Sequence, residues 1–153
     1  MSKRFVAVLA VIAVAGLAVG AVVATGQGSG SDDNLFARLT GAGERQAGNP
    51  ADPNGKGSFA AVIDGRRLCM SFSVTDLGQI VAAHIHAGRR GQNNPPLIDS
   101  GVTPRSGSAA TFGKCVRITR AQARALKRRP RSFYFNVHTT QFPAGAIRGQ
   151  LHH

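Results

Sequence analysis

The run Leu68, Met70, Phe72, Val74 places an apolar side chain at every second position, with Cys69, Ser71 and Ser73 between them. A period of two lines one face of an extended strand and cannot line one side of a helix. The same alternation occurs in Leu35, Ala37, Leu39 and in Phe59, Ala61, Ile63, and Asp64-Gly65 ahead of Leu68 supplies a tight hairpin turn. Further strand-like runs lie at 80–86, 97–100, 109–118, 133–139 and 146–151. The chain also carries 19 Gly and 7 Pro, which suits a turn-rich β protein better than a helical bundle. The spacing therefore predicts an all-β fold, an antiparallel, Greek-key-like β-sandwich of about eight strands.

One segment breaks the period. Residues 119–129 open on Thr119, a good N-cap, are rich in helix formers and stop before Pro130. They predict a short crossover helix. Ile118, Ala121, Ala125 and Leu126 form its expected apolar stripe, and Arg120, Arg124, Lys127 and Arg128 its basic ridge.

The N-terminus has a different purpose. Lys3 and Arg4 precede an uncharged apolar run over 5–24 that ends in the small residues Val22-Val23-Ala24. Residues 1–24 read as a signal peptide or, since ~20 apolar residues span a bilayer, as an N-terminal anchor. Either reading places the remainder outside the cell, secreted or on the outer face of the plasma membrane. Residues 25–33 are a flexible linker and 34–153 one β domain, a length sufficient to enclose a core. Cys69 and Cys115, the only cysteines, are then expected to form a disulfide, because export exposes thiols to oxidation.

Charge narrows the partners. No acidic residue follows Asp99, whereas 114–131 hold eight Lys/Arg; setting aside Lys3 and Arg4 leaves 17 basic and 7 acidic residues, a net +10. Such a field attracts anionic cell-envelope polymers through Arg120, Arg124, Lys127 and Arg128, the alternative being a merely solvated basic face. Nucleic acid is not expected, since the chain is exported and lacks a recognition motif. Catalysis is not expected either. Glu44 is the single glutamate, so carboxylate pairing is restricted, and there is no Gly-x-Ser-x-Gly elbow and no phosphate-cradling loop before a helix.

Three stretches carry a resemblance. Ala83-His-Ile-His-Ala-Gly88, Phe135-Asn-Val-His-Thr139 and the closing Phe142-Pro-Ala-Gly-Ala-Ile-Arg-Gly-Gln-Leu151, together with Leu39-Thr-Gly-Ala42, resemble the CHRD domain, named for its occurrence in chordin. The resemblance covers roughly 35–151. The family's acidic-plus-proline opening is here Glu44-Arg-Gln-Ala-Gly-Asn-Pro50, and its Asn-Gly-Pro turn is Asn93-Asn-Pro95. The resemblance implies an extracellular β-sandwich that serves as a binding or structural module, with an extracellular protein as one class of partner.

Strand alternation also sorts the polar residues. With Val81, Ala83 and Ile85 facing the core, His84 and His86 share the opposite face; with Phe133, Phe135 and Val137 inward, Tyr134, Asn136 and His138 point away. Arg148 and Gln150 do the same on the last strand. If these strands are neighbours, His84, His86 and His138 form either a hydrogen-bonded network that fixes register or a copper or zinc site, since neutral imidazoles suit both metals. Tyr134, Asn136 and Gln150 are then candidate hydrogen-bond partners of the rings. Arg148 opposes a cation and suits an anion. His152 and His153, at the chain end, are set aside.

Overall fold

A computed structural model describes residues 31–102 and 109–153. The signal or anchor segment at 1–24 and residues 25–30 of the linker lie outside the described residues. Among those described, no helix is long and apolar enough to cross a membrane.

Eight strands form in chain order: β1 (Asn34–Thr40), β2 (Lys56–Asp64), β3 (Arg67–Thr75), β4 (Ile80–Ala87), β5 (Pro96–Asp99), β6 (Ala109–Arg117), β7 (Phe133–Thr139) and β8 (Ile147–Gln150). All neighbouring pairs are antiparallel, in the order β5-β4-β7-β8-β1-β2-β3-β6. The expected all-β class and strand number are found. Hydrogen bonding runs unbroken through all eight strands, so the two walls of the sandwich-like core belong to one curled sheet. Phe59 of β2 stacks on Phe135 of β7, ring centroids 4.3 Å apart, although two strands separate them in the sheet. Curling arises because strands twist, and because both walls bring apolar alternate residues to the inside. Leu35, Leu39, Ile63, Leu68, Ile85, Val137 and Leu151 are fully enclosed there.

The β2–β3 hairpin turns as the Asp64-Gly65 signal predicts: Asp64 pairs with Arg67, and Gly65 takes φ +56°. Chain connections then cross between the walls, β3 to β4, β5 to β6 and β6 to β7. The last crossing carries the expected helix, α2 (Arg120–Arg128), after α1 (Gly41–Arg45). Thr119 Oγ1 accepts from the Gln122 backbone N–H and the Gln122 side chain accepts from Thr119 N–H, a reciprocal cap. The apolar stripe differs from expectation. Ala123 and Leu126, three apart, are buried, whereas Ala121 is exposed and Ala125 half-buried. The face that meets the sheet was set by Leu126, and Ala121 lies five residues before it, well round the helix. Ser31–Asp33, expected as linker, form a 3-10 turn, and Asp33 makes an ion pair with Lys127.

Cys69 and Cys115 stand directly opposite each other on β3 and β6 and are bridged. They occupy the outer face with Ser71 and Ser73, as the alternation of β3 requires. The bridge ties the β6 edge to the hairpin and fits an oxidising environment.

Candidate metal centre

Sheet order decides that the polar residues meet. β7 lies between β4 and β8, and its register sets Asn136 opposite both His84 and Arg148, and Tyr134 opposite both His86 and Gln150. His138 follows two residues after Asn136 on the same face. The three histidines each offer one nitrogen within 4.8 Å of the others.

This face is not an open surface. Asn136 is 2 % exposed, and His86, Arg148 and Tyr134 are also buried. Helix α1, the 88–95 loop and the 142–146 turn cover it, making a second, polar core on the far side of the sheet from the apolar one. Sequence reasoning did not anticipate α1, whose five residues are too few to show helical periodicity. Its Thr40 cap accepts from Gly43 N–H. The helix lies on β8 because Gly43 has no side chain: a Cβ there would stand 2.5 Å from the Arg148 carbonyl oxygen. Its key residue is Glu44, fully buried, and missed as a site residue. The available signal was that it is the chain's single glutamate, four residues after a strand.

Glu44 collects three donors. Its Oε2 accepts from Arg148 Nη2 at 3.0 Å and Asn49 Nδ2 at 3.0 Å, and its Oε1 accepts from Asn136 Nδ2 at 3.2 Å. Gly145, at φ +142°, leaves the room: a Cβ there would collide with the carboxylate. Arg148 also donates to the Gln92 carbonyl and Asn93 Oδ1, both at 2.7 Å, and lies 3.8 Å above the Tyr134 ring. The expected repulsion between Arg148 and a cation is therefore offset, because its charge is matched by a carboxylate in contact with it. Tyr134 supports the site by stacking, on Arg148 and on His86 at 4.7 Å. Gln150, expected to orient a ring, instead donates to the carbonyls of Gly88, Arg131 and Phe133 and anchors the loop.

The rings are held by backbone carbonyls. His86 Nδ1–H donates to the Asn94 carbonyl at 2.7 Å and His138 Nδ1–H to the Pro143 carbonyl at 2.9 Å. A carbonyl only accepts, so each of these nitrogens carries its hydrogen and the Nε2 lone pair faces inward. Both Nε2 atoms point at Asn136 Oδ1, 3.0 Å from His86 and 3.1 Å from His138. His84 Nδ1 lies 3.2 Å from His138 Nε2.

The CHRD domain family model matches residues 35–151. The chain belongs to the CHRD domain family. No curated protein and no solved structure matches it. In this CHRD domain the matched span starts inside β1, one residue after Asn34, and ends just after β8, so it contains β2 to β8 whole and every residue of the cluster.

Electrostatics of the CHRD domain's cluster favour neutral rings at His84 and His138. Burial, then the neighbouring His138 and His86, hold His84 below the ordinary imidazole range. Burial likewise lowers His138, against the opposing pull of its Pro143 hydrogen bond. Neutral imidazole is the ligating form. The basic ridge is a separate feature, on α2. Arg120, Arg124 and Arg128 are exposed there, whereas Lys127 is partly covered and paired with Asp33, which reduces the expected four free charges to three.

Proposed function

We propose that this CHRD domain is an exported binding module whose ligand is a copper or zinc ion, held by His84, His86 and His138. The carrying observation is the convergence of three ligand-capable nitrogens within 4.8 Å, on paired strands. Two of the rings donate Nδ1–H to backbone carbonyls, the arrangement that fixes the tautomer of metal-ligating histidines. A tetrahedral site with metal–nitrogen distances of ~2.0–2.1 Å needs donors ~3.3 Å apart, which the His84–His138 pair at 3.2 Å already meets and toward which the remaining separations, within 4.8 Å, would close. Export of the module is supported by the signal-like 1–24 segment and by the disulfide. Calorimetric titration of copper and zinc into untagged protein at pH 7.5 tests the reading: one ion per chain is expected. Loss of that binding in both His84→Ala and His138→Ala supports the site; no binding by wild type, or binding unchanged in the variants, refutes it.

A second reading is favoured by α2. Its exposed Arg120, Arg124 and Arg128 lie on a domain with no acidic residue after Asp99, which supports contact with an anionic cell-envelope polymer. The two readings use different elements and are compatible.

A further inference from the structure

Four atoms at the centre of the cluster are badly matched as hydrogen-bonding groups. In the neutral, metal-ligating form of the rings, Nδ1–H of His86 and of His138 is committed to carbonyls and both Nε2 atoms are acceptors, and the atom between them, Asn136 Oδ1, is an acceptor as well. The one N–H that neutral rings leave for this group is His84 Nδ1–H, which donates to His138 Nε2. Turning the Asn136 amide over would cure this, since Nδ2 would then donate to the imidazoles. Glu44 prevents it. Asn136 Nδ2 donates to Glu44 Oε1, and a turned amide would set Oδ1 against that carboxylate oxygen, at 3.2 Å in a buried position. Glu44 is itself held by Arg148 and Asn49 and cannot swing away. The single His84 hydrogen leaves Asn136 Oδ1 facing His86 Nε2 and His138 Nε2 with no hydrogen between them, which is costly in a buried site, and a cation at their common focus removes the cost.

We propose that Asn136 Oδ1 is the fourth donor to the ion, and that Glu44 is a positioning residue that keeps this oxygen turned toward the histidines. The inference rests on the three-histidine reading and adds an N3O ligand set to it. Three of the six donor–donor spacings, Oδ1 to the two Nε2 atoms at 3.0 and 3.1 Å and His84 Nδ1 to His138 Nε2 at 3.2 Å, approach the ~3.3 Å edge of a tetrahedron built on ~2.0–2.1 Å bonds, and His84 ligates once its hydrogen has moved from Nδ1 to Nε2. An amide oxygen with imidazoles is a donor set of intermediate hardness, suited to zinc, cobalt(II) or copper(II) more than to copper(I). Glu44 acts without touching the ion, and its negative charge also balances Arg148.

Glu44→Gln separates orientation from occupancy. Its oxygen remains with Arg148, so its amide nitrogen faces Asn136. The Asn136 amide must then turn over and direct Nδ2–H into the site, where it satisfies both Nε2 lone pairs. Cobalt(II), which reports coordination through its visible absorption, and zinc are titrated into untagged wild type and variant. The expected result is four-coordinate cobalt absorption in wild type, and in folded Glu44→Gln a loss of affinity of ~10-fold or more with weakened absorption. Equal affinity and an identical spectrum in Glu44→Gln would overturn the inference while leaving the three-histidine site standing. Wild type that binds neither cobalt(II) nor zinc would overturn the inference, and wild type that binds no copper either would overturn the three-histidine reading with it. Should Glu44→Gln not fold, zinc-loaded wild type decides by NMR. Coordination through Oδ1 must shift the Asn136 side-chain NH2 resonances on loading, and resonances that do not move exclude the fourth donor.

Discussion

Glu44→Ala strands a buried guanidinium. Arg148 is 4 % exposed and Glu44 fully enclosed, so water cannot replace the lost carboxylate. Breaking one partner of a buried ion pair costs about 3–5 kcal/mol. Arg148 retains the Gln92 carbonyl, Asn93 Oδ1 and the face of Tyr134, which places the cost near the lower end, about 3 kcal/mol. Asn49 and Asn136 each lose an acceptor too, which keeps the loss from falling below that. For a domain of about 120 residues this corresponds to a melting temperature lowered by roughly 10–15 °C. The assay is thermal unfolding of oxidised, metal-free protein, with Lys127→Ala as the comparison. That variant breaks the partly exposed Lys127–Asp33 pair and should cost less than ~1 kcal/mol. Adding Arg148→Met to Glu44→Ala removes the stranded charge and should recover about 1 kcal/mol or more. A Glu44→Ala shift below about 3 °C, no larger than that of Lys127→Ala, would refute the view that this pair supports the polar core.

Reducing Cys69–Cys115, which closes a 46-residue separation, should destabilise by about 4 kcal/mol on loop entropy; two free thiols in protein from the extracellular fraction would contradict the bridge. Metal-free protein should lose stability on acidification. Burial holds His84 and His138 below their ordinary 6.5, so the unfolded chain binds more protons. Their contribution is complete above pH 6.5 and declines as pH falls through it toward the lower folded values. Unfolding temperatures measured from pH 8 to 5 check this, and a flat or rising profile would count against it. Replacing Arg120, Arg124, Lys127 and Arg128 by Gln should weaken retention on an anionic polymer and flatten its salt dependence, because exposed charges are screened over ~8–10 Å. Salt-insensitive retention of the wild type would leave α2 as a solvated face.

Alternation and turn residues located the strands and the hairpin at Asp64-Gly65, and alternation the face on which Cys69, His84, His86, Asn136 and His138 lie. Side-chain direction in a strand follows from backbone geometry and needs no partner. The α2 boundaries were equally local, since Thr119, Gln122 and Pro130 act on their own turn. Which strands are neighbours is a different matter. Placing β7 between β4 and β8 depends on long crossings, so the meeting of His84, His138 and Arg148 is a property of the folded sheet. Glu44 shows the limit most clearly. It is separated by 92 residues from Asn136 and 104 from Arg148, in a helix too short to have a period. Nothing near it in the chain distinguishes a solvated glutamate from a buried one. Its role was decided when α1, lying close on β8 at the side-chain-free Gly43, brought one carboxylate against a guanidinium and an amide that no other described acidic side chain reaches.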